Sequence, residues 1–298
     1  MIKKLNDLVE MAKAVETRRM AVAAAADEPV LMAVKEAMAE DIIIPILIGN
    51  REEIEKISAQ IGFDLNNIEI IDEKNPAQAA RIAVRKVKDG EAEILMKGLV
   101  SSGDYLKAIL DKENGLRSGA TLSHLAFFES PHYHKLIAVT DAAMNVEPEF
   151  NDKVAMLKNA VAAFHKLGIK NPKVAVVGAV ESVNPKMQPS VDAALMTMMN
   201  RRGQIKGCIV DGPLALDNAV SREAALHKGI ESEVAGDVDL IVTPDIYSGN
   251  ILYKSLNFLG GAAAAAIITG ATVPVVLTSR SDTDHSKFMS IALAAAME

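Results

Sequence analysis

The sequence predicts an α/β protein whose sheets are largely parallel and covered by helices on both faces. Short apolar runs alternate with amphipathic helical patterns along almost the whole 298-residue chain, which is typical of repeated strand–helix units. The runs are continuously apolar, as expected for strands buried on both faces. Aromatic residues make up only 4% of the chain. Ala, Val, Ile, Leu and Met must therefore fill the core, and this suits layered packing.

The strands are predicted from apolar runs bounded by polar or turn-forming residues. They span residues 20–26, 42–48, 68–71, 93–96, 124–129, 135–140, 173–180, 207–210, 239–243 and 273–279. The amphipathic segments predict helices over residues 28–39, 51–61, 76–88, 104–111, 152–167 and 188–200. Asn75 and Asn151 mark two helix starts, because an Asn side chain can cap free backbone amides.

The chain is long enough for two domains. Residues 120–135 break the strand–helix alternation by placing two strands in succession, and we interpret this segment as the crossing between domains. The last strand and helix are expected to return to the first domain. The prediction is a discontinuous first domain of residues 1–134 plus 272–298, and a second domain of residues 135–271.

Composition excludes several classes of function. A formal net charge of −7 argues against a general nucleic-acid binder, which needs a basic face. The single cysteine, Cys208, excludes an internal disulfide framework and fits a reducing compartment. The N-terminal residues lack the apolar core of a signal peptide, and the Ala-rich tract 260–270 is too short to span a bilayer. We expect a soluble, cytoplasmic protein with small-molecule substrates and no nucleic-acid or membrane partner.

A Gly- and Ser-rich turn follows the predicted strand at 93–96. Its residues Ser102 and Gly103 open a helix, and backbone amides at a helix N-terminus together with the helix dipole form a natural anion cradle. The alternative is an ordinary helix start capped near Ser102 or Asp104. The local pattern leaves both interpretations open.

Two further turns carry polar residues at strand ends. Asp211 begins an Asp-Gly-Pro-Leu sequence after the strand at 207–210, at the expected carboxyl edge of a parallel sheet, where α/β folds bind ligands. Ser248 and Asn250 follow the strand at 239–243 and can cap the next helix or bind a ligand. Taken alone, a plain turn and a helix cap are the favoured interpretations.

The last predicted strand ends in Ser279-Arg280-Ser281. Arg280 offers a bidentate fork suited to phosphate, and the flanking hydroxyls complement it. A structural pair between Arg280 and a carboxylate is the equally open alternative. No metal site is expected, because His132 and His134 are not accompanied by an acidic or Cys ligand cluster.

Together these motifs resemble the phosphate acetyltransferase and phosphate butyryltransferase family. The resemblance extends from about Lys97 to Met297 and rests mainly on three segments: Asp-Gly-Pro-Leu at 211–214, Ser-Gly-Asn-Ile-x-Tyr-Lys at 248–254, and Pro-Val-Val-Leu-Thr-Ser-Arg at 274–280. The last segment and the ending Ser-Ile-Ala-Leu-Ala at 290–294 are more similar to the butyryltransferase branch.

The resemblance implies two αβα domains of the isocitrate/isopropylmalate-dehydrogenase-like type, with an active-site cleft between them. It implies reversible transfer of a short acyl group, butyryl or branched-chain, between coenzyme A and inorganic phosphate by direct attack in a ternary complex. Coenzyme A or acyl-CoA would be a substrate, with no permanently bound cofactor and no metal. Family members are typically homo-oligomers built on a dimer.

The resemblance also suggests individual roles for residues. Ser279 and Arg280 match the family's catalytic pair, and the matched motifs suggest that the following residues bind substrate: Ser102, Gly103, Lys107, Asp211, Gly249, Asn250 and Tyr253. Two positions depart from the acetyl branch, which has an acidic residue in place of Ser286 and an Arg in place of Phe258. The base for the CoA thiol is therefore unassigned, although Asp282, Asp284 and His285 lie nearby.

Two other functions remain as alternatives. The first is a catalytically weak relative that binds acyl-CoA or acyl phosphate. The second is a metal-dependent decarboxylating dehydrogenase of the same fold, which would need an Asp cluster and a nucleotide-binding loop, and the sequence shows neither convincingly.

Overall fold

A computed structural model describes residues 2–279 and 282–297 and confirms the α/β class. Strands β1 to β11 span, in order, Arg18–Ala23, Ile43–Gly49, Glu69–Asp72, Ile94–Lys97, Ser123–Glu129, Ile137–Thr140, Lys173–Val177, Ile209–Leu214, Leu240–Val242, Ala263–Thr269 and Val275–Val276. Helices α1 to α11 span Leu5–Lys13, Glu28–Ala39, Arg51–Ile61, Pro76–Lys88, Ser102–Ile109, Phe150–Lys166, Gln188–Arg201, Leu216–Val220, Arg222–His227, Ile246–Phe258 and Asp284–Ala296.

The chain forms two compact units. The terminal unit comprises Asn6–Ala120 and Ala265–Glu298, and the middle unit comprises Met1–Leu5 and Thr121–Ala264. These bounds differ from the predicted 134/135 and 271/272. Strand β5 belongs to the middle unit because it pairs antiparallel with β6, and residues 265–271 belong to the terminal unit because β10 pairs antiparallel with β11.

The terminal unit has parallel strands in the order β3-β2-β1-β4-β11, with β10 antiparallel beside β11. Every residue of β4 and of β11 is buried. Strand β11 is shorter than predicted, because only Val275 and Val276 pair with β4 and the chain then leaves the sheet. Strand β10 was not predicted, since it begins in an Ala-rich tract and Ala has little β-propensity.

The middle unit has parallel strands in the order β6-β9-β7-β8, with β5 antiparallel beside β6. Strand β8 runs through Asp211-Gly212-Pro213 to Leu214, so the prediction that this strand ends at residue 210 is wrong. At the edge of the sheet a proline removes no ladder hydrogen bond on its open side, which explains how the strand continues.

Several helix predictions are confirmed to the residue. Helices α2, α3 and α4 have the predicted bounds. The Oδ1 atom of Asn75 accepts hydrogen bonds from the amides of Ala77 and Gln78, at 2.9 and 3.2 Å. Gly62 ends α3 with φ of 64°, a left-handed conformation that favours glycine. Within residues 2–279 and 282–297, no helix is long and apolar enough to cross a membrane.

Candidate active site

Three parallel strands of the terminal unit end side by side. Strand β4 pairs in register with both β1 and β11, with Met96 opposite Val22 and Val276. The segments that follow these strands therefore lie at one edge of the sheet, which is where parallel α/β sheets bind ligands. They carry two of the predicted motifs, the turn after β4 and the segment after β11.

The turn after β4 is held against the end of β1. The amide of Gly98 donates to the carbonyl oxygen of Ala23 at 2.8 Å, and the amide of Leu99 donates to that of Ala24 at 2.7 Å. A Cβ atom on Gly98 would clash with both carbonyl oxygens. Glycine is required here because the backbones of the two segments approach so closely.

Ser101 caps helix α5. Its Oγ atom accepts a hydrogen bond from the amide of Asp104 at 3.0 Å and lies 2.7 Å from the Oδ2 atom of that residue. The cap is thus Ser101, one residue before Ser102 and three before Asp104, the two residues predicted to lie near it. Ser102 and Gly103 are exposed in the first turn, where helix amides lack intrahelical partners. Their position is compatible with the predicted anion cradle.

Lys107 lines a groove of about 500 Å³ between α4 and α5. Apolar residues that include Ile82 and Ala108 line the groove, as do the charged residues Arg81, Arg85, Lys86 and Glu91. Arg85 is engaged, since its Nε atom donates to Asp89 at 2.7 Å. Arg81 and Lys107 are exposed and make no ion pair within the described part of the chain. They supply positive charge to this groove, which the carboxylates of Asp111 and Glu91 also line.

One carboxylate faces the same groove. Asp111 accepts hydrogen bonds from the amides of Asn114 and Glu113, at 2.7 and 3.0 Å. These two bonds lower the pKa of Asp111, and the positive charges of Lys88 and Arg81 act in the same direction. Asp111 is therefore ionised at neutral pH, and the two backbone amides stabilise its charge more than Lys88 and Arg81 do.

Ser279 is exposed three residues after the end of β11, and Arg280 and Ser281 lie outside the described residues. The amide of Ser279 donates to the Oδ2 atom of Asp282 at 2.7 Å. Thr283 caps α11, and its Oγ1 atom accepts from the amide of Ser286 at 3.1 Å. Ser286 therefore lies in the first turn of the helix that follows this loop.

Sequence reasoning missed Lys287. Its side chain is buried, and its Nζ atom donates to the carbonyl oxygens of Ser279 at 3.2 Å and Asp282 at 2.7 Å. Burial lowers the pKa of Lys287, against the opposing effect of nearby carboxylates. The available signal was a lysine directly before a stretch, Phe288 to Ala296, that is apolar except for Ser290.

In the middle unit, Gly249 and Asn250 attach helix α10 to the segment after β6. A Cβ atom on Gly249 would clash with the carbonyl oxygen of Asp141, and the Nδ2 atom of Asn250 donates to that of Ala142 at 3.0 Å. Asp245 caps the helix by accepting from the amide of Ser248 at 2.8 Å. The backbone of this motif is therefore positioned by close packing.

Tyr253 follows Asn250 by one helical turn. Only 9% of it is exposed, and its ring packs edge-on against Phe128 and His124, at centroid distances of 5.2 and 5.7 Å. Gly249, Asn250 and Tyr253 are thus brought together on one helix, near the ends of β6 and β9.

Asp211 lies elsewhere in the middle unit. It is within β8, opposite Ala175 of β7, so its predicted place at the carboxyl edge of the sheet is wrong. Asp211 lines a groove of about 700 Å³ together with Arg201 and Arg222. The guanidinium of Arg222 is engaged, donating to the carbonyl oxygens of Ser232 and Ala235 at 3.0 and 3.2 Å.

Cys208 and the histidine pair His132 and His134 show no arrangement suited to catalysis or metal binding. Burial raises the pKa of the Cys208 thiol to about 11, so the thiol is protonated at neutral pH. The Nε2 atom of His134 lies 2.9 Å from a carboxylate oxygen of Asp237. Over residues 2–279 and 282–297, no group of three or more His, Cys, Asp or Glu side chains is arranged to hold a metal ion.

Parallel α/β units with hydroxyl- and amide-rich turns at a sheet edge define the class of α/β proteins that bind anionic ligands at strand ends. The particular family follows from comparison with known proteins. Residues 4–81 and 75–295 match the family described as phosphate acetyl/butaryl transferase. The chain belongs to this family of acyltransferases, which confirms the resemblance inferred from its motifs.

Two curated relatives cover nearly the whole chain. A phosphate butyryltransferase of Clostridium acetobutylicum is 48% identical over 295 residues, 99% of this chain and 98% of the relative. A phosphate acetyltransferase of Thermotoga maritima is 47% identical over 291 residues, 98% of each chain.

Solved structures are similar in fold. A branched-chain phosphotransacylase from Enterococcus faecalis V583 has a TM-score of 0.85 and 35% identity, covering 94% of this chain and 99% of its own. A 4-hydroxythreonine-4-phosphate dehydrogenase from Klebsiella pneumoniae has a TM-score of 0.59 and 14% identity, with coverage of 94% and 99%. The second shares the fold alone, in agreement with the expected dehydrogenase-like architecture.

Proposed function

We propose that this protein reversibly transfers a short acyl group between coenzyme A and inorganic phosphate. The observation that carries the proposal is the family match over nearly the whole chain, which includes the exposed Ser279 at the strand-end edge of the terminal unit. A seryl hydroxyl at such an edge, followed by an arginine, suits a phosphate or an acyl phosphate.

The chemistry requires few groups. In one direction the thiolate sulfur of coenzyme A attacks the carbonyl carbon of an acyl phosphate. The carbon–sulfur bond forms, the bond from carbon to the phosphate oxygen breaks, and inorganic phosphate leaves. Charge that develops on the carbonyl oxygen needs fixed donors, and such preorganised stabilisation is often the largest catalytic effect. We assign this role to Arg280, with a hydrogen bond from the Ser279 hydroxyl.

Direct attack in a ternary complex needs no acylated enzyme. Burial keeps the Cys208 thiol protonated well above neutral pH, and a thiol rather than a thiolate is a poor nucleophile. Coenzyme A itself supplies a thiol of ordinary pKa near 8.5, so a weak base suffices to ionise it. No permanently bound cofactor or metal enters this scheme.

We assign Lys107 to the phosphates of coenzyme A. It lines the groove between α4 and α5 together with Arg81 and the apolar residues Ile82 and Ala108. Two exposed cations beside apolar side chains suit a ligand that combines phosphates with a flat base. Ser102 and Gly103, one to two turns earlier on α5, are proposed to bind an anionic part of the substrates.

Gly249, Asn250 and Tyr253 of the middle unit remain proposed substrate-binding residues, and they also position helix α10. Gly249 and Asn250 attach α10 to the segment after β6, and Tyr253 packs beneath them in an aromatic cluster. We propose that they act by holding the start of α10 in place. A substrate contact by Asp211, which lies on β8, stays a prediction.

We propose that the acyl group is butyryl or branched-chain, that the protein acts in the cytoplasm, and that it forms a homodimer. The dimer is supported by an exposed apolar surface at the end of α10, where Phe258 is 66% and Leu259 87% exposed. Large exposed apolar patches mark association surfaces. Nucleic acids and membranes are not proposed as partners.

One assay tests the proposed function. Butyryl-CoA and phosphate are mixed with the protein, and free thiol is followed with a thiol-reactive dye while butyryl phosphate is trapped as its hydroxamate. Equal amounts of both products are expected, and none without phosphate. Binding of butyryl-CoA without turnover would instead indicate a catalytically weak binding relative.

A further inference from the structure

Lys287 is a buried cation in helix α11, which is mostly apolar after its first turn. Helix α11 is buried at each position from Lys287 to Ala296, and Lys287 itself is only 3% exposed. Lysine is almost never fully buried unless its ammonium is paired or hydrogen-bonded, because removing it from water is costly. The structure must therefore compensate for this charge.

The compensation comes from the loop after β11. The Nζ atom donates to the carbonyl oxygen of Ser279 at 3.2 Å and to that of Asp282 at 2.7 Å. These two residues flank positions 280 and 281. The loop is closed a second time by the hydrogen bond from the Ser279 amide to the Asp282 carboxylate. One ammonium thus ties both ends of a four-residue segment to helix α11.

The surrounding charges favour the ammonium form. Burial lowers the pKa of Lys287, while the carboxylates of Asp282, Asp27 and Asp284 act in the opposite direction. Asp27 precedes α2, and Asp282 and Asp284 flank the cap of α11, so negative charge reaches Lys287 from two elements.

We infer that Lys287 is a positioning residue: by fixing the backbone of Ser279 and Asp282, on either side of positions 280 and 281, it supports the action of the pair Ser279 and Arg280. The inference rests on the proposed function, in which that pair stabilises the reacting phosphate and carbonyl oxygen. The hydrogen bonds of Lys287 go to the backbone carbonyl oxygens of Ser279 and Asp282, so they act on the backbone at both ends of the segment. A displacement of a catalytic group by about 1 Å can cost about 100-fold in rate, and this is the scale on which a lost tether acts.

The test compares matched lysine variants. Lys287→Met keeps the length of the side chain but removes the ammonium, and Lys287→Arg keeps a donor. Lys35→Met is the control, because Lys35 also donates from Nζ to a backbone carbonyl, that of Ile61 at 2.8 Å. We expect Lys287→Met to lower kcat about 10- to 100-fold, while KM for butyryl-CoA changes less than about 3-fold. Lys287→Arg should recover part of kcat. Lys35→Met should leave kcat unchanged.

A double-mutant cycle with Arg280→Ala separates positioning from general destabilisation. If Lys287 acts through the loop, Lys287→Met should reduce kcat much less in the Arg280→Ala background, because coupled residues are not additive. Equal fold losses in both backgrounds, or wild-type kcat in folded Lys287→Met, would overturn the inference. Should Lys287→Met not fold, Lys287→Gln and Lys287→Arg enter the same cycle. A wild-type protein without turnover would instead reject the proposed function.

Discussion

The amide of Ser279 donates a hydrogen bond to the carboxylate of Asp282 across 2.7 Å. The carboxylate lies three residues after the proposed catalytic serine and closes the loop that contains Arg280. Asp282 is one of three candidates near the position where the acetyl branch has its acidic residue. Its engagement with a backbone amide indicates a structural role in the loop.

Asp282→Asn should therefore be tolerated better than Asp282→Ala. The Asn side-chain oxygen can still accept from the Ser279 amide, so kcat should stay within about 3-fold of wild type, whereas the Ala variant should lose about 10-fold, corresponding to about 1.4 kcal/mol for one hydrogen bond to a charged group. The kcat values of both variants are measured at several pH values under steady-state conditions. Equal losses in the two variants would instead identify Asp282 as the base for the thiol.

Arg280→Ala should lower kcat by roughly 100- to 1000-fold, as expected when one preorganised donor is lost. Arg280→Lys should recover only part of the rate, since a point charge does not replace a bidentate fork. Circular dichroism should show an unchanged fold. Turnover near the wild-type value in the Ala variant would remove Arg280 from the mechanism.

The groove that contains Arg81 and Lys107 should discriminate coenzyme A from dephospho-CoA. Lys107→Ala and Arg81→Ala should each raise KM for acyl-CoA far more than KM for phosphate, and the effect should shrink with added salt, because exposed charges are screened. Acylated coenzyme A and acylated dephospho-CoA are compared as substrates of each variant.

Lys56→Ala is the matched control for this groove. Lys56 is an exposed cation of α3 in the same unit, and its removal changes net charge equally. If all three variants shift KM alike, the effect is a general charge effect and the groove does not bind the phosphates of coenzyme A.

Cys208→Ser should retain kcat within about 2-fold if transfer is direct, because no acyl-enzyme forms on a protonated, buried thiol. Mass spectrometry after mixing with acyl-CoA should find no acylated protein. An acyl adduct on Cys208 that forms and decays at the turnover rate would contradict direct transfer.

The raised pKa of Cys208 also predicts that the stability of the fold depends on pH. Burial raises the pKa of Cys208 to about 11, above its ordinary value of 9.0. A raised folded-state pKa contributes stability below the unfolded value that is lost as pH rises through the folded value. The free energy of unfolding of wild type should therefore fall between pH 9 and 11 more than that of Cys208→Ser, as urea titrations would show.

Butyryl-CoA should exceed acetyl-CoA in kcat/KM by about ten-fold or somewhat more, since each buried methylene contributes about 0.8 kcal/mol. Initial rates with acetyl-, propionyl-, butyryl- and isobutyryl-CoA under one buffer condition measure this order. This chain is 48% identical to a phosphate butyryltransferase and 47% identical to a phosphate acetyltransferase. Because sequence identity does not separate the two substrates, the measured rates decide between them. Acetyl-CoA as the best substrate would reject the butyryl assignment and leave the transferase assignment intact.

Local sequence determined those parts of the protein whose causes are local. The bounds of α2, α3 and α4 followed from caps and apolar spacing, since Asn75 and Gly62 act within one turn of chain. The family followed from ordered motifs at strand ends. These features need no knowledge of which distant segments pack together.

Tertiary structure decided the rest. Strand β10 forms in an Ala-rich tract because it pairs with β11 and is buried, and pairing overrides weak propensity. Asp211 lies within β8 because β7 provides a partner strand beyond Val210. Lys287 gains its role from two carbonyl oxygens that only the folded loop brings to its ammonium. In each case the stabilising free energy comes from a contact between segments that are distant in the sequence. The residues of either segment alone therefore do not predict the outcome.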